Sequence, residues 1–301
     1  LCGCYGAQKK YGDVLAICEK LLKAHPDNLR ARMMAAMAAE QIGDRTGAIA
    51  HYEALAKIPP AAPQALMNIS RLYRAMDKPE RSAETMKRLL KVDKNNFDAN
   101  FNLGAYEYGK KNVKAAETYW LAARRAQPAN PIVNVNLAMV QGRLGKVKEA
   151  SASAQTALKA DPKNRMALEV YCFILENSRK MDDAMTVYRR WEKYYPTDPI
   201  PNRKIAGIYM FQNKKDKAYA EFDLALKKAP KDLDIINTYA MALKMDEKYE
   251  KAYALYEKAL KVKPGVAQTM FDAAFCLEKQ KKPDEAIALV KKAVAADAKN
   301  T

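Results

Sequence analysis

Proline recurs with a fixed period along this chain. Pro26, Pro60, Pro128, Pro162, Pro196, Pro230 and Pro264 are separated by 34 residues or by 68. Pro makes up only 14 of the 301 residues, so seven in one phase mark an organised repeat. A period of roughly 20–50 residues confines a chain to stacked or radially arranged units, each too small to bury its own apolar face alone.

The frame set by the prolines runs without insertion through 29–62, 63–96, 97–130, 131–164, 165–198, 199–232, 233–266 and 267–300, and 1–28 fill places 7 to 34 of an earlier unit. Lys94 and Ala298 hold the Pro place in the two remaining units. Place 8 is always small: Cys2, Ala36, Ser70, Gly104, Ala138, Cys172, Ala206, Ala240 and Ala274. Place 20 is Ala in seven units, with Ser82 and Val14 in the others. Two fixed small places let two helices approach closely, because the interaxial distance follows the contact side chains. Bulky residues stand at place 24, among them Tyr52, Met86, Trp120, Tyr188, Phe222 and Tyr256. First helices show apolar spacing at i, i+3 and i+4, as in Leu168, Tyr171 and Cys172. The Pro then ends the second helix by disfavouring helical geometry in the residue before it. Only 11 glycines and an abundance of Ala favour helix over sheet.

Asn102-Leu103-Gly104, Ala116, Trp120 and Pro128 in the fourth unit, and Gly145, Ala150, Ala157 and Pro162 in the fifth, resemble the tetratricopeptide repeat family. The resemblance spans essentially the whole chain. It implies an all-α fold: a right-handed α-solenoid of about nine stacked 34-residue helix pairs, one domain over 1–301, with a concave groove lined by first helices. The family names a scaffold, and function has to be argued from surfaces.

Family geometry puts places 2, 5, 6, 9, 12 and 13 on the groove. Here these places are unusually apolar. Met33, Met34 and Met37 form one patch, followed by Phe101, Val135 and Met139. Phe173, Met210, Phe211, Met241, Met245, Phe271 and Phe275 continue the series, with Arg71, Tyr108 and Arg203 among the polar members. Met-rich surfaces suit adaptable protein contacts, although apolar spacing alone cannot separate a groove surface from packing between units. Asn68, Asn102 and Asn136 hold place 6 in three consecutive units. A side-chain amide offers a donor and an acceptor, matching a peptide backbone, and the row resembles the asparagine ladders with which some members of the family hold extended peptides. A clamp for C-terminal carboxylates would need Asn at place 9 and basic residues at place 5, a pattern absent here.

Place 16 gives a second surface. It reads Lys10, Lys78, Lys146, Lys180, Lys214, Lys248 and Lys282, with Asp44 and Asn112 in the other units. Stacking would align these lysines along one edge. Acidic residues follow at places 18 and 19, where they complement the helix dipole and partly neutralise the row. The two readings are a solvated turn and a docking edge for an acidic protein or anionic membrane. Nucleic acid is disfavoured, because no aromatic and basic platform is interleaved on one face. The formal charge of +17 is spread over both halves of the chain.

No catalytic constellation assembles. His25 and His51 have no metal-spaced companions, Cys18, Cys172 and Cys276 fall on packing faces, and no Gly-rich phosphate loop occurs. No enzyme activity, cofactor or metal is expected. No apolar run is long enough to span a membrane. The opening Leu1-Cys2-Gly3-Cys4 admits two readings. One is a lipoprotein signal acylated at Cys4, for an exported or lipid-anchored protein. The other is the back half of a first helix, which accounts for Leu1, Cys2 and Tyr5 together and is the better supported. Both ends of the array look open, and at least one is expected to be covered by another chain, a second copy or further residues. The function expected is a non-enzymatic scaffold assembling a multiprotein complex, with self-association. The alternatives are a peptide-binding adaptor and a membrane-anchored lipoprotein of envelope or pilus assembly.

Overall fold

The structure is a computed structural model that describes residues 10–297. Among the described residues there are 17 helices and no strand. After Tyr11–Ala24 the helices come two to a unit: Leu29–Gln41 and Arg45–Leu55, Ala62–Ala75 and Pro79–Val92, Phe97–Gly109 and Val113–Ala126, Pro131–Arg143 and Val147–Ala160. The series continues with Arg165–Asn177 and Met181–Tyr194, Ile200–Phe211 and Lys215–Lys228, Leu233–Met245 and Tyr249–Val262, Ala267–Lys279 and Pro283–Asp297. The chain divides into two compact bodies, one up to Val170 and one from Tyr171.

Local chemistry sets the ends of each helix. The last residue of a unit caps the first helix of the next. Asn28, Asn96, Asn130, Asn164 and Asp232 each accept a first-turn amide hydrogen at 2.9–3.2 Å, which satisfies a donor that the helix leaves unpaired. The turn inside each pair is also repeated. Place 15 has a positive φ in all eight complete units, at Gly43, Asp77, Lys111, Gly145, Arg179, Asn213, Glu247 and Lys281. The next amide then reaches back five residues, as from Lys78 to the Tyr73 carbonyl and from Lys248 to the Leu243 carbonyl, both at 2.9 Å. This is a Schellman closure, and its place-16 residue is at once the N-cap of the second helix.

Only Gly enters the left-handed region freely; another residue incurs roughly 1–2 kcal/mol. Arg179→Gly and Glu247→Gly are therefore each expected to stabilise the fold by about 1 kcal/mol. Urea midpoints would show it. An unchanged or lower midpoint would mean that these side chains recover the cost through contacts.

In the first body, places 8 and 20 meet at the helix–helix contact. Ala36, Ala48, Ala138 and Ala150 are fully buried there, and the Ser70 and Ser82 hydroxyls bond at 2.7 Å. Gly104 lies under the Trp120 indole, where an added Cβ would fall inside the ring's van der Waals radius. In the second body Ala206, Ala218, Ala240 and Ala252 do the same work, and Phe222 stacks on Tyr239 at 4.8 Å. Neighbouring first helices lie side by side, as Arg74 donating to Asn102 at 2.8 Å shows. So do neighbouring second helices, where Arg88 bonds both Glu53 oxygens at 2.7 Å.

Candidate functional site

The face formed by the first helices has to be built separately for each body. In the first body a cavity of about 500 Å³ is lined by Met33, Met37, Glu40, Gln41, Tyr52, Gln64, Asn68 and Arg71. It brings together four of the residues expected on the groove. Arg71 is paired with Glu40, and the Tyr52 hydroxyl donates to the same carboxylate at 2.8 Å. Burial, reinforced by that bond, pushes the Tyr52 hydroxyl above its ordinary value of 10.0. Asn68 Oδ1 lies 3.5 Å from Gln64 Nε2.

The asparagine row continues onto Asn102 and Asn136. Both halves of the Asn102 amide are already used: Nδ2 donates to the Asp98 carbonyl at 2.7 Å, and Oδ1 accepts from Arg74. Asn136 is half-buried. Phe101 is half-buried and stacks on Phe97 at 5.8 Å. The Tyr108 hydroxyl donates to the Met139 sulfur at 3.4 Å, and Arg143 sits over the Tyr108 ring at 5.0 Å. Val135 is buried; its short side chain is covered, whereas the longer Phe101 at the same place reaches the surface. Val135 therefore serves packing here and offers a partner nothing.

In the second body the face is more apolar. Phe173, Met241, Phe271 and Phe275 are exposed, and Met210 and Arg203 are half-buried. Phe211 is 81% exposed and Met245 72%. Met241 with Met245, and Phe271 with Phe275, stand four residues apart and share a helix face. Two of the cations between them are paired with carboxylates. Lys204 donates to Glu176 at 2.9 Å, and the Tyr188 hydroxyl bonds Glu176 at 2.9 Å. Lys244 pairs with Asp272 and lies 5.6 Å from the Phe275 ring centre, which Lys279 approaches to 5.2 Å. The pattern of Tyr52, Glu40 and Arg71 thus repeats as Tyr188, Glu176 and Lys204. A partner meeting this face would find aromatic and Met side chains beside two internally paired cations, Lys204 and Lys244.

The place-16 lysines are N-caps without a side-chain cap bond, so their charge faces the positive end of a helix dipole. Several are held by neighbours. Lys146 bonds Glu117 at 2.6 Å. Lys248 bonds Asp246 at 3.0 Å and lies 4.2 Å from the Tyr219 ring centre. Lys214 donates to Gln212 at 2.9 Å. Lys10, Lys78, Lys180 and Lys282 are exposed. Lys215, the Tyr219 hydroxyl and Lys248 together hold the Asp246 carboxyl well below its ordinary 3.8. Acidic residues such as Glu80, Asp182 and Asp216 stand in the first turns just beyond.

Cys18, Cys172 and Cys276 are buried, and none is in a disulfide. Burial pushes the Cys276 thiol up to about 11, so it is a neutral packing group at pH 7. Among the described residues, no group of three or more His, Cys, Asp or Glu could hold a metal ion, and no helix is long and apolar enough to cross a membrane. Leu1, Cys2, Cys4 and Tyr5 lie outside the described residues. In the last helix Ile287, Val290 and Val294 are exposed. One set of residues escaped the sequence reading. Asn100 and Asn134, both at place 4, tie down the preceding loop: Asn100 Nδ2 donates to the Lys94 and Asn96 carbonyls, and Asn134 Nδ2 to those of Pro128 and Asn130. Their shared place in the frame was the available signal.

A tetratricopeptide repeat profile matches residues 94–265, and further tetratricopeptide repeat profiles match 7–64, 63–96 and 243–301. This chain belongs to the tetratricopeptide repeat family. No curated protein matches it. Three solved structures show how this tetratricopeptide repeat protein relates to known folds. YrrB, described as a TPR protein with an unusual peptide-binding site, is 20% identical with a TM-score of 0.52, over 61% of this chain and 91% of YrrB. PilF of Pseudomonas aeruginosa is 19% identical with a TM-score of 0.51, over 65% of this chain and 89% of PilF. A tetratricopeptide repeat protein of Parabacteroides merdae is 13% identical with a TM-score of 0.50, over 88% of this chain and 98% of its own. At such identities the likeness concerns the fold. Family membership makes the chain a protein-interaction scaffold in the general sense.

Proposed function

We propose that this tetratricopeptide repeat protein is a non-enzymatic scaffold that assembles partner proteins on the exposed apolar row of its first helices. The observation that carries the reading is the contrast on the second body. Lys204 and Lys244 are held by Glu176 and Asp272, while the apolar Phe211 and Met245 are largely open to solvent. Exposed aromatic and Met side chains in a row favour burial against another protein.

The test is affinity capture from native lysate with quantitative mass spectrometry, comparing the unmodified chain with Phe211→Ser/Met245→Ser. Both positions are exposed, so the fold is expected to survive, as circular dichroism would verify. The partners that co-purify stoichiometrically should fall by about tenfold or more, which corresponds to about 1.4 kcal/mol and lies within the range of interface anchors. An identical partner set at identical yield would remove the proposal.

A second reading, an adaptor for an extended peptide, is supported by the cavity on the first body. There Met33 and Met37 line the same cavity as the Gln64 and Asn68 amides. It predicts that Asn68→Ala lowers affinity for a soluble peptide while leaving folded partners of the second body attached.

A further inference from the structure

A cation recurs at one further place, and through the first body no carboxylate among the described residues pairs with it, whereas Lys261 of the second body pairs with Glu257 at 3.2 Å. Place 29 reads Lys23, Lys57, Lys91, Arg125 and Lys159 through the first body, and Lys193, Lys227 and Lys261 in the second, with Ala295 in the last unit. All eight cations are exposed. The series lies at the C-terminal ends of the second helices, where a positive charge meets the negative end of the dipole. The dipole alone does not select this place. Place 26, one turn earlier, mixes Ala54, Arg88, Ala122 and Thr156.

Neighbouring second helices of the first body are in contact through Arg88 with Glu53 at 2.7 Å and Arg124 with Ser153 at 3.2 Å. Place 29 lies next to or one turn beyond these contacts. Place 29 thus sets one cation on each successive unit, about 10 Å apart wherever the helices pack side by side. None of the five first-body cations is within ion-pair distance of a carboxylate among the described residues. That separates this edge from place 16, where Lys146 is held by Glu117 and Lys248 by Asp246.

We infer that this edge of the first body docks an acidic polypeptide segment. An extended chain advances about 3.3 Å per residue, so a carboxylate at every third residue meets successive cations. Place 29 supplies one cation per unit, and the exposed Lys20, Lys87 and Lys94 lie within about a turn of it, so the edge offers a linear anion a continued line of positive charge. The next place along is aliphatic, with Val92, Ala126 and Ala160 exposed. It suits the apolar residues between the carboxylates and provides no aromatic platform for nucleobases. This surface is distinct from the apolar face proposed above and goes beyond that reading.

A fluorescein-labelled peptide of about 15 residues with Glu at every third position, long enough to cross the five cations at ~3.3 Å per residue, is titrated with the full chain by anisotropy. Binding should occur at low salt and weaken markedly at moderate salt. Lys57→Glu/Lys91→Glu/Arg125→Glu should weaken it about tenfold or more, and the corresponding triple Ala variant by less, in the same direction. Lys78→Glu/Lys214→Glu/Lys282→Glu, with the same change in net charge at place 16, should change it by about twofold at most. Phe211→Ser/Met245→Ser should bind the peptide normally, which separates this inference from the scaffold proposal. Three results would overturn it: undiminished binding by the place-29 triples, an equal loss in the place-16 control, or place-29-dependent binding of phosphatidylserine vesicles or a single-stranded oligonucleotide without peptide binding.

Discussion

Trp120→Ala is expected to destabilise the protein by about 3–5 kcal/mol, the range for deleting a large buried aromatic. The indole is 1% exposed. It packs with Ala116, Ala123, Val133, Leu137 and Val140, has Tyr108 at 5.8 Å, and donates from Nε1 to the Phe101 carbonyl at 3.1 Å. Truncation would remove these contacts and leave a cavity between the two helices. The largest residue type stands opposite Gly104, the one glycine at place 8. Gly104→Ala should therefore cost about 1–3 kcal/mol by overpacking. Combined with Trp120→Phe, it should cost less than the sum of the two single changes, because the smaller ring makes room. Urea unfolding of the three variants would check this, and a neutral Gly104→Ala would refute the steric argument.

Asn202→Ala should be the most damaging polar substitution in the second body. Asn202 is fully buried. Its Nδ2 donates to Glu192 at 2.8 Å and to Glu221 at 2.7 Å, and its Oδ1 accepts from Lys228 at 2.5 Å. Arg189 pairs with both carboxylates. One neutral amide thus spaces two anions and anchors a cation. Removing it should cost about 1–3 kcal/mol, the penalty for leaving buried polar groups unmatched.

The same network has a pH signature. Burial acts to raise the Glu192 carboxyl above its ordinary 4.5, but hydrogen bonds from Arg189, Asn202 and Lys228 outweigh it and hold the group below that value. A depressed folded value stabilises the fold above the ordinary one, and the contribution is lost as the pH falls through the folded value. The unmodified chain should therefore lose stability below about pH 4.5, and Asn202→Ala should lose less over the same interval. Equal acid sensitivity in the two proteins would show that Asn202 does not act through this carboxyl.

The sequence by itself determined the repeat, the helix pair and the small contact places. Those follow from periodicity, because every unit must solve the same packing problem with the same few residues. Buried Ala48, Ala116 and Trp120 at their places bear this out. Place 15 was harder to read, since its left-handed conformation is held by Asp77, Lys111, Arg179 and Glu247 as well as by Gly. The closing amide bond supplies the reason, and composition does not reveal it.

What only the tertiary structure decided is which polar groups are available to a partner. Asn102, Arg71 and Lys146 read as surface donors in the sequence, but each meets an acceptor on its own or a neighbouring helix. The place-29 cations meet none in the first body, and Phe211 and Met245 are left open. Helical spacing fixes the face a side chain occupies. Whether an opposite charge or a covering side chain stands across from it depends on how neighbouring units stack.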